Sequence, residues 1–225
     1  MSKLFDRLRP LVGDGGVERL KTARVLVVGL GGVGGAAAET LIRSGVGRLT
    51  FVDGDVFEPS NLNRQLLATS RTVGMNKAAA AKARAEEISS DVVATAVEQF
   101  VDADNIGSIL DADFDYCIDA IDDIKNKIVL IAACKARGVG IVSAMGAGNR
   151  LDCDLAVTDI YKTQYDPIAR TLRRELKKLG ITELDTVCAC SPPLARLQEP
   201  ASAAAPPAVM GAMLAGHVIK RLTGV

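Results

Sequence analysis

Along most of this chain, continuous apolar runs alternate with segments whose apolar residues recur at helical spacing. The stretch "ARVLVVG" (23–29) is uninterrupted and rich in valine. That pattern suits a strand covered on both faces, since a strand facing water on one side would alternate apolar and polar residues. It is followed in order by "GGAAAETLIRSG", "RLTFVDGD", "NKAAAAKARAEEI", "VVATAVEQF", "FDYCIDAID", "DIKNKIVLIAACKARG" and "VGIVSAMG". Strands and helices taking turns predict an α/β fold of the Rossmann-like, doubly wound type, a mostly parallel sheet with helices on both faces. After Gly148 the pattern changes to "DLAVTDIYKT", a helix over about 166–179 and "TVCACS", a C-terminal extension that either continues the sheet or forms a substrate lobe. The stretch "EPASAAAPPA" (199–208) reads as a flexible loop leading into a terminal helix opened near Pro207.

Composition narrows the classes. With 225 residues and 48% hydrophobic content the chain can bury a large core as one globular domain. Its 27 basic residues balance 27 acidic ones, so a polyanion has no global attraction here and would need a local patch. The start, "MSKLFDRLRPLVG", lacks the apolar core of a secretion signal, and "AVMGAMLAGHVI" is too short to span a bilayer. A soluble cytoplasmic protein with no membrane partner is expected. Five cysteines, Cys117, Cys134, Cys153, Cys188 and Cys190, include no CxxC pair, so buried thiols in a reducing compartment and no structural zinc are expected.

The glycines after the first strand carry the first chemistry. Gly29, Gly31 and Gly34 fit GxGxxG and Gly32 adds freedom, a loop that lets backbone amides and a helix N-terminus approach phosphate. Asp53 ends the next strand, where a carboxylate accepts hydrogen bonds from ribose hydroxyls. These features fit a redox dinucleotide and ATP equally. The segment "DGDVFEPSNLNRQ" then gathers Asp53, Asp55, Asn61, Asn63, Arg64 and Gln65 beyond the strand's carboxyl end, with Lys77 on the next helix. A triphosphate demands cations, so Arg64 and Lys77 near the glycine loop favour ATP over a nicotinamide cofactor. In "CIDAIDD", Asp119, Asp122 and Asp123 stand at another strand end, where carboxylates either hold Mg²⁺ against phosphate or cap the following helix.

In this order GxGGxG, DxDxxxxSNLNRQ, Lys77 and DAIDD resemble the adenylating family of ubiquitin-activating and sulfur-carrier-activating enzymes, from about Phe5 to Asp123. The resemblance implies an enzyme that uses ATP and Mg²⁺ to activate a carboxylate as an acyl-adenylate. It implies the glycines for the nucleotide, Asp53 for the ribose, Asn61, Arg64 and Lys77 for phosphates, and Asp122 for the metal. It also implies a homodimer in which Arg7, in "FDRLRPLVG", reaches the neighbouring subunit's ATP and acts with Arg64, Lys77 and Asp122 in catalysis. The expected organisation is one domain over 1–225, a nucleotide-binding core over 1–148 and a substrate-binding part over 149–225.

The second half, "SAMGAGNRLD", "VTDIYKTQYDPIARTLRRELKKLGI" and "PPAVMGAMLAGHVIKRLTG", resembles one branch of that family, the tRNA threonylcarbamoyladenosine dehydratases. That branch implies a modified tRNA as substrate, with the threonylcarbamoyl carboxylate adenylated and closed into a ring with loss of AMP. The alternative is adenylation of the C-terminus of a ubiquitin-like sulfur carrier, and a sulfur-carrier protein or a cysteine desulfurase is the further partner the resemblance suggests. On the helix near 166–179, Ile168, Leu172, Leu176 and Leu179 share one face, and Arg170, Arg173, Arg174, Lys177 and Lys178 form a basic stripe opposite, met only by Glu175. Such a stripe either neutralises tRNA phosphates or is a solvated helix face. His217, the one histidine, reads as structural, whereas Cys188 and Cys190, pointing to one side of a strand, leave open a thiol near the site. From other classes, a nicotinamide oxidoreductase leaves Arg64, Lys77 and Asp122 without a role, and a dimerisation scaffold predicts no turnover.

Overall fold

The computed structural model describes residues 3–194 and 201–225. Part of the expected loop, Glu199 and Pro200, therefore lies outside the described residues, whereas 201–204 run irregularly into the last helix. In chain order the elements are α1 (Arg9–Thr22), β1 (Arg24–Val28), α2 (Gly32–Arg43), β2 (Arg48–Val52), α3 (Lys77–Ile88), β3 (Val93–Val97), the single turn α4 (Ile106–Ile109), β4 (Tyr116–Asp119), α5 (Ile124–Arg137), β5 (Gly140–Ala144), β6 (Leu155–Asp159), α6 (Pro167–Lys178), β7 (Asp185–Ala189) and α7 (Ala205–Thr223). Among these residues one seven-stranded sheet has the order β3-β2-β1-β4-β5-β7-β6, parallel except for β6, which runs antiparallel to β7. The extension after Gly148 thus continues the sheet.

Strand β1 is central because its side chains serve two cores. Val25 and Val27 enter a cluster with residues of α1, α2, α3 and α7, while Leu26 and Val28 enter a second with α4, α5 and α6. Alternate residues of a strand point to opposite faces, so an unbroken VLVV run stabilises the fold only between two helical layers. Helix α6 has the predicted amphipathic form, with Leu172 and Leu176 buried, yet Leu179 lies past its end and is 55% exposed. Helix α1 has no counterpart in the hydrophobic pattern. Gly13, Gly15 and Gly16 weaken its periodicity, and the helix is kinked at Gly13 (φ 69°), with Val17 and Leu20 anchoring its second half. Among the described residues no helix is long and apolar enough to cross a membrane.

Glu39 of α2, 8% exposed, ties the two helices on one face together. Arg84 of α3 donates Nε and Nη2 to its two oxygens at 3.0 Å each, and Arg43 adds Nε at 2.7 Å. Burial alone would raise the Glu39 carboxyl, but the bonds from Arg84 and Arg43 hold it below the usual range. A carboxyl lowered by folding contributes stability above its unfolded pKa and loses it as pH falls through the folded value. We expect Glu39→Gln to cost about 1–2 kcal/mol at neutral pH. In urea melts that gap narrows below the ordinary carboxylate range and disappears once the carboxyl is protonated.

Candidate active site

Strands β1 and β4 lie side by side, but α2 leaves to one face of the sheet and α5 to the other, which opens a crevice at their carboxyl ends. It encloses ≈ 530 Å³ and is lined by Gly29, Gly31, Gly32, Asp53, Asp55, Arg64, Gln65, Lys77 and residues 120–123 and 144–148, among others. Two glycines, of which Gly29 lines the crevice, shape the turn beneath it. Gly29 has φ 83° and a Cβ there would stand 2.6 Å from Ala120 O, while one on Gly34 would stand 1.7 Å from Gly29 O. Neither position admits a side chain, so the turn is held by backbone against backbone. Side chains of Asn76, Asp123 and Asp166 cap α3, α5 and α6, but the N-cap of α2 is Gly31, which has no side chain to offer. The first-turn amides of α2 are therefore open to an anionic ligand.

Asp53, 8% exposed, ties the glycine loop to the next segment: Oδ2 accepts from Leu30 N at 2.6 Å and Oδ1 from Asp55 N at 2.8 Å. Burial pushes its carboxyl up, opposed by those two amides and by the Lys77 charge. Of the four lone-pair sites of a carboxylate these amides use two, and two remain to accept ribose hydroxyls. Lys77 opens α3, 7% exposed, with Nζ 3.0 Å from Asp55 Oδ2. The guanidinium of Arg64 donates Nη1 to Ser60 O and to Asn63 Oδ1, both at 2.9 Å. Both cations line the crevice with the glycine turn, as the sequence predicts. Gln65 lines it too, with a buried Oε1 that has no hydrogen-bond partner among the described residues.

Other candidates are placed elsewhere. Asn61 is buried in the turn Pro59–Asn61, where its Oδ1 accepts from Glu58 N, and Asn63 is exposed and bonded to Ser202 O; neither lines the crevice. Asp119 is wholly buried. It forms an ion pair with Lys127 at 3.0 Å and accepts from Ser143 Oγ at 2.6 Å and Ile121 N at 3.1 Å, which removes it from the metal-binding candidates. Asp123 caps α5 through Asn126 N, whereas Asp122 is exposed on the crevice wall and makes no hydrogen bond or ion pair among the described residues. Arg7 is exposed and is not part of its own chain's crevice; Phe5, two residues earlier, packs at Gly45, at the opposite end of the sheet.

The basic stripe is divided. Arg173 is half-buried and donates to Ile160 O and Thr163 O, so it braces the loop before α6 instead of facing solvent. Arg174 and Lys178 both pair with Glu175, and Arg170 and Lys177 are exposed without ion-pair partners among the described residues. Cys117, Cys134 and Cys188 are buried as expected, but Cys153 and Cys190 are exposed. Burial pushes the Cys188 thiol up to about 11 and also raises Cys190, next to Asp154, which argues against a thiolate nucleophile. Among the described residues no group of three or more His, Cys, Asp and Glu side chains is arranged to hold a metal ion. His217 bonds Asp185 at 3.0 Å and Tyr116 OH at 3.3 Å at the amino end of the sheet, in keeping with a structural role.

The model of the ThiF family matches residues 5–225. The chain belongs to the ThiF family. The tRNA threonylcarbamoyladenosine dehydratase of Bacillus subtilis is 37% identical to it over 238 residues, covering 97% of this chain and 94% of that one. The crystal structure of the E. coli tRNA N6-threonylcarbamoyladenosine dehydratase in complex with ATP superposes with a TM-score of 0.94 at 32% identity, covering 99% of this chain and 94% of that one. The molybdopterin-synthase adenylyltransferase of Escherichia coli is 37% identical over 142 residues, 63% of this chain and 56% of that one.

Reasoning from sequence missed Lys127 and Ser143, which hold Asp119, because a lysine on an amphipathic helix reads as exposed. It also missed Gln99 and Phe100, crevice residues beyond β3 with no recognisable spacing. In this ThiF-family chain Lys127 is 1% exposed and also donates to Ile121 O at 2.9 Å, fixing the loop that presents Asp122. Removing one partner of a buried pair strands the other charge. We expect Lys127→Met to cost about 3–5 kcal/mol in urea melts. The Asp119→Asn/Lys127→Met double variant should cost less than the sum of the two single ones.

Proposed function

We propose that this protein is an ATP-dependent tRNA threonylcarbamoyladenosine dehydratase, working as one domain over 1–225. The convergence of Arg64, Lys77 and Asp122 on the uncapped glycine turn carries the reading, because it supplies two cations and a free carboxylate where a triphosphate would lie. The ATP complex of the E. coli relative supports it, as does the B. subtilis relative matched over nearly its whole length. Carrier adenylation is the weaker reading, since the molybdopterin-synthase relative aligns with a smaller share of both chains.

In the proposed reaction the threonylcarbamoyl carboxylate attacks the α-phosphorus of ATP and pyrophosphate leaves. The resulting acyl-adenylate then closes onto the carbamoyl group with AMP as leaving group. A carboxylate is already ionised at neutral pH, so the first step needs no general base. Charge builds on phosphoryl oxygens, and prepositioned cations lower that barrier most. Arg64 and Lys77 are read in that role, Asp53 on the ribose and Gly29, Gly31 and Gly32 along the phosphates, while Gly34, which does not line the crevice, lets the turn close against Gly29 O. A lone, unpaired carboxylate suits Mg²⁺, which takes most of its oxygen ligands from phosphate and water, and Asp122 would hold it. That ion, when bound, neutralises pyrophosphate charge. Arg7, distant from its own crevice, is read as reaching the second subunit of a homodimer, and the setting is read as cytoplasmic.

Modified-tRNA-dependent pyrophosphate exchange tests the reading. Arg64→Ala and Lys77→Ala should each lose about 10²-fold or more of the rate, without loss of fold by circular dichroism. Exchange that runs at full rate in Lys77→Ala contradicts it. For RNA contact we look to Arg170 and Lys177, which are exposed, with Arg174 and Lys178 shared with Glu175. Changing Arg170 and Lys177 to Glu should weaken tRNA binding and lower the salt slope by about 2 in log–log units.

A further inference from the structure

The two walls of the crevice are joined by a run of hydrogen bonds that passes outside it. Asn63 stands off the crevice beside Arg64. Its Oδ1 accepts from Arg64 Nη1 at 2.9 Å and its Nδ2 donates to Ser202 O at 3.0 Å. The neighbouring Ala201 is clasped by Asn149: Ala201 N donates to Asn149 Oδ1 at 2.8 Å, and Asn149 N donates to Ala201 O at 2.7 Å. Leu194 N donates to Asn149 O at 2.9 Å. Asn149 has φ 58°, the one non-glycine positive φ among the described residues, and so turns amide and side chain toward the same partner. The residues immediately before it, 146–148, line the crevice as Arg64 does, and a Cβ on Gly148 would stand 3.3 Å from Ala201 O.

We infer that Asn63 is a positioning residue which couples the Arg64 guanidinium to Ser202 and Ala201 and, through Asn149, to the wall at 146–148. Engagement of phosphate by Arg64 then tightens the wall against which the acceptor is presented. The inference rests on Arg64 being a phosphate ligand, as proposed above. Its basis is the polarity of the asparagine amide, which offers an acceptor at one end and donors at the other. Here the oxygen meets a cation and the nitrogen meets a carbonyl. Phosphate held at the other guanidinium nitrogens fixes the rotamer in which Arg64 Nη1 stays on Asn63, and the fixed amide in turn holds residue 202. Coupling of this kind is reciprocal, so a wall held in place also favours nucleotide. An aspartate at 63 keeps the acceptor for Arg64 but sets an oxygen against Ser202 O.

Amide hydrogen exchange at Ala201 and Leu194, measured on the whole protein with and without ATP and with no tRNA present, tests the coupling. In the unaltered chain ATP should slow exchange at both amides by about fivefold or more. Asn63→Ala and Asn63→Asp should each abolish that response while calorimetry still shows ATP bound. Asn149→Gly, which accepts the left-handed backbone, should abolish it at Ala201. No response in the unaltered chain with ATP bound, or an undiminished response in either Asn63 variant, overturns the inference. Failure of the underlying reading is separate and shows as unchanged ATP affinity in Arg64→Ala.

Discussion

Close contact between two stretches of backbone, at Gly29 and Ala120, governs the active end of this molecule. Strands β1 and β4 are neighbours, yet the chain leaves them toward opposite faces, so their carboxyl ends cannot be covered by one helix. The turn between β1 and α2 must then pass directly over Ala120, which only a glycine in a left-handed conformation permits. The same turn leaves the first turn of α2 without a side-chain cap. Fold closure and an open anion-binding surface therefore have a single cause.

Charge at the crevice is arranged around that surface by burying some groups and sparing others. Asp119 and Lys127 neutralise each other out of water, and their cost is offset by Ser143 and two backbone partners. That arrangement fixes the loop at 120–123 and leaves Asp122 without a partner among the described residues. Asp123 goes to the helix cap, and Asp53 is pinned by two amides at the foot of the glycine turn. Lys77 is held by Asp55 and Arg64 by Ser60 and Asn63, so each cation is oriented before any ligand arrives. Preorganisation of this sort is what lowers a barrier in which charge develops on phosphoryl oxygens.

The basic helix stands in a less direct relation to the crevice. Its N-terminus is anchored there, since Asp166 accepts from Gly146 N at 2.7 Å and Ile168 lines the wall. At 1.5 Å per residue, Lys177 lies roughly 15 Å further along the axis. A nucleic acid that presents a base to the crevice and crosses α6 would have to run down the flank of the molecule.

Local pattern determined much here. The alternation of apolar runs and helical segments, the glycine turn after β1 and the acidic and cationic positions at Asp53, Arg64, Lys77 and Asp122 were legible, because each depends on residues close together in the chain. Periodicity could not reveal α1, whose glycines are tolerated only because Val17 and Leu20 find a partner in the core. It could not reveal that Asp119 is spent on Lys127, that Asn61 and Asn63 stay off the crevice, or that Arg173 braces a loop. Those outcomes were decided by contacts between distant segments, which compete for the same side chains once burial makes an unpaired charge or donor costly. A sequence lists the groups available, and only packing settles which of them remain free to meet a ligand.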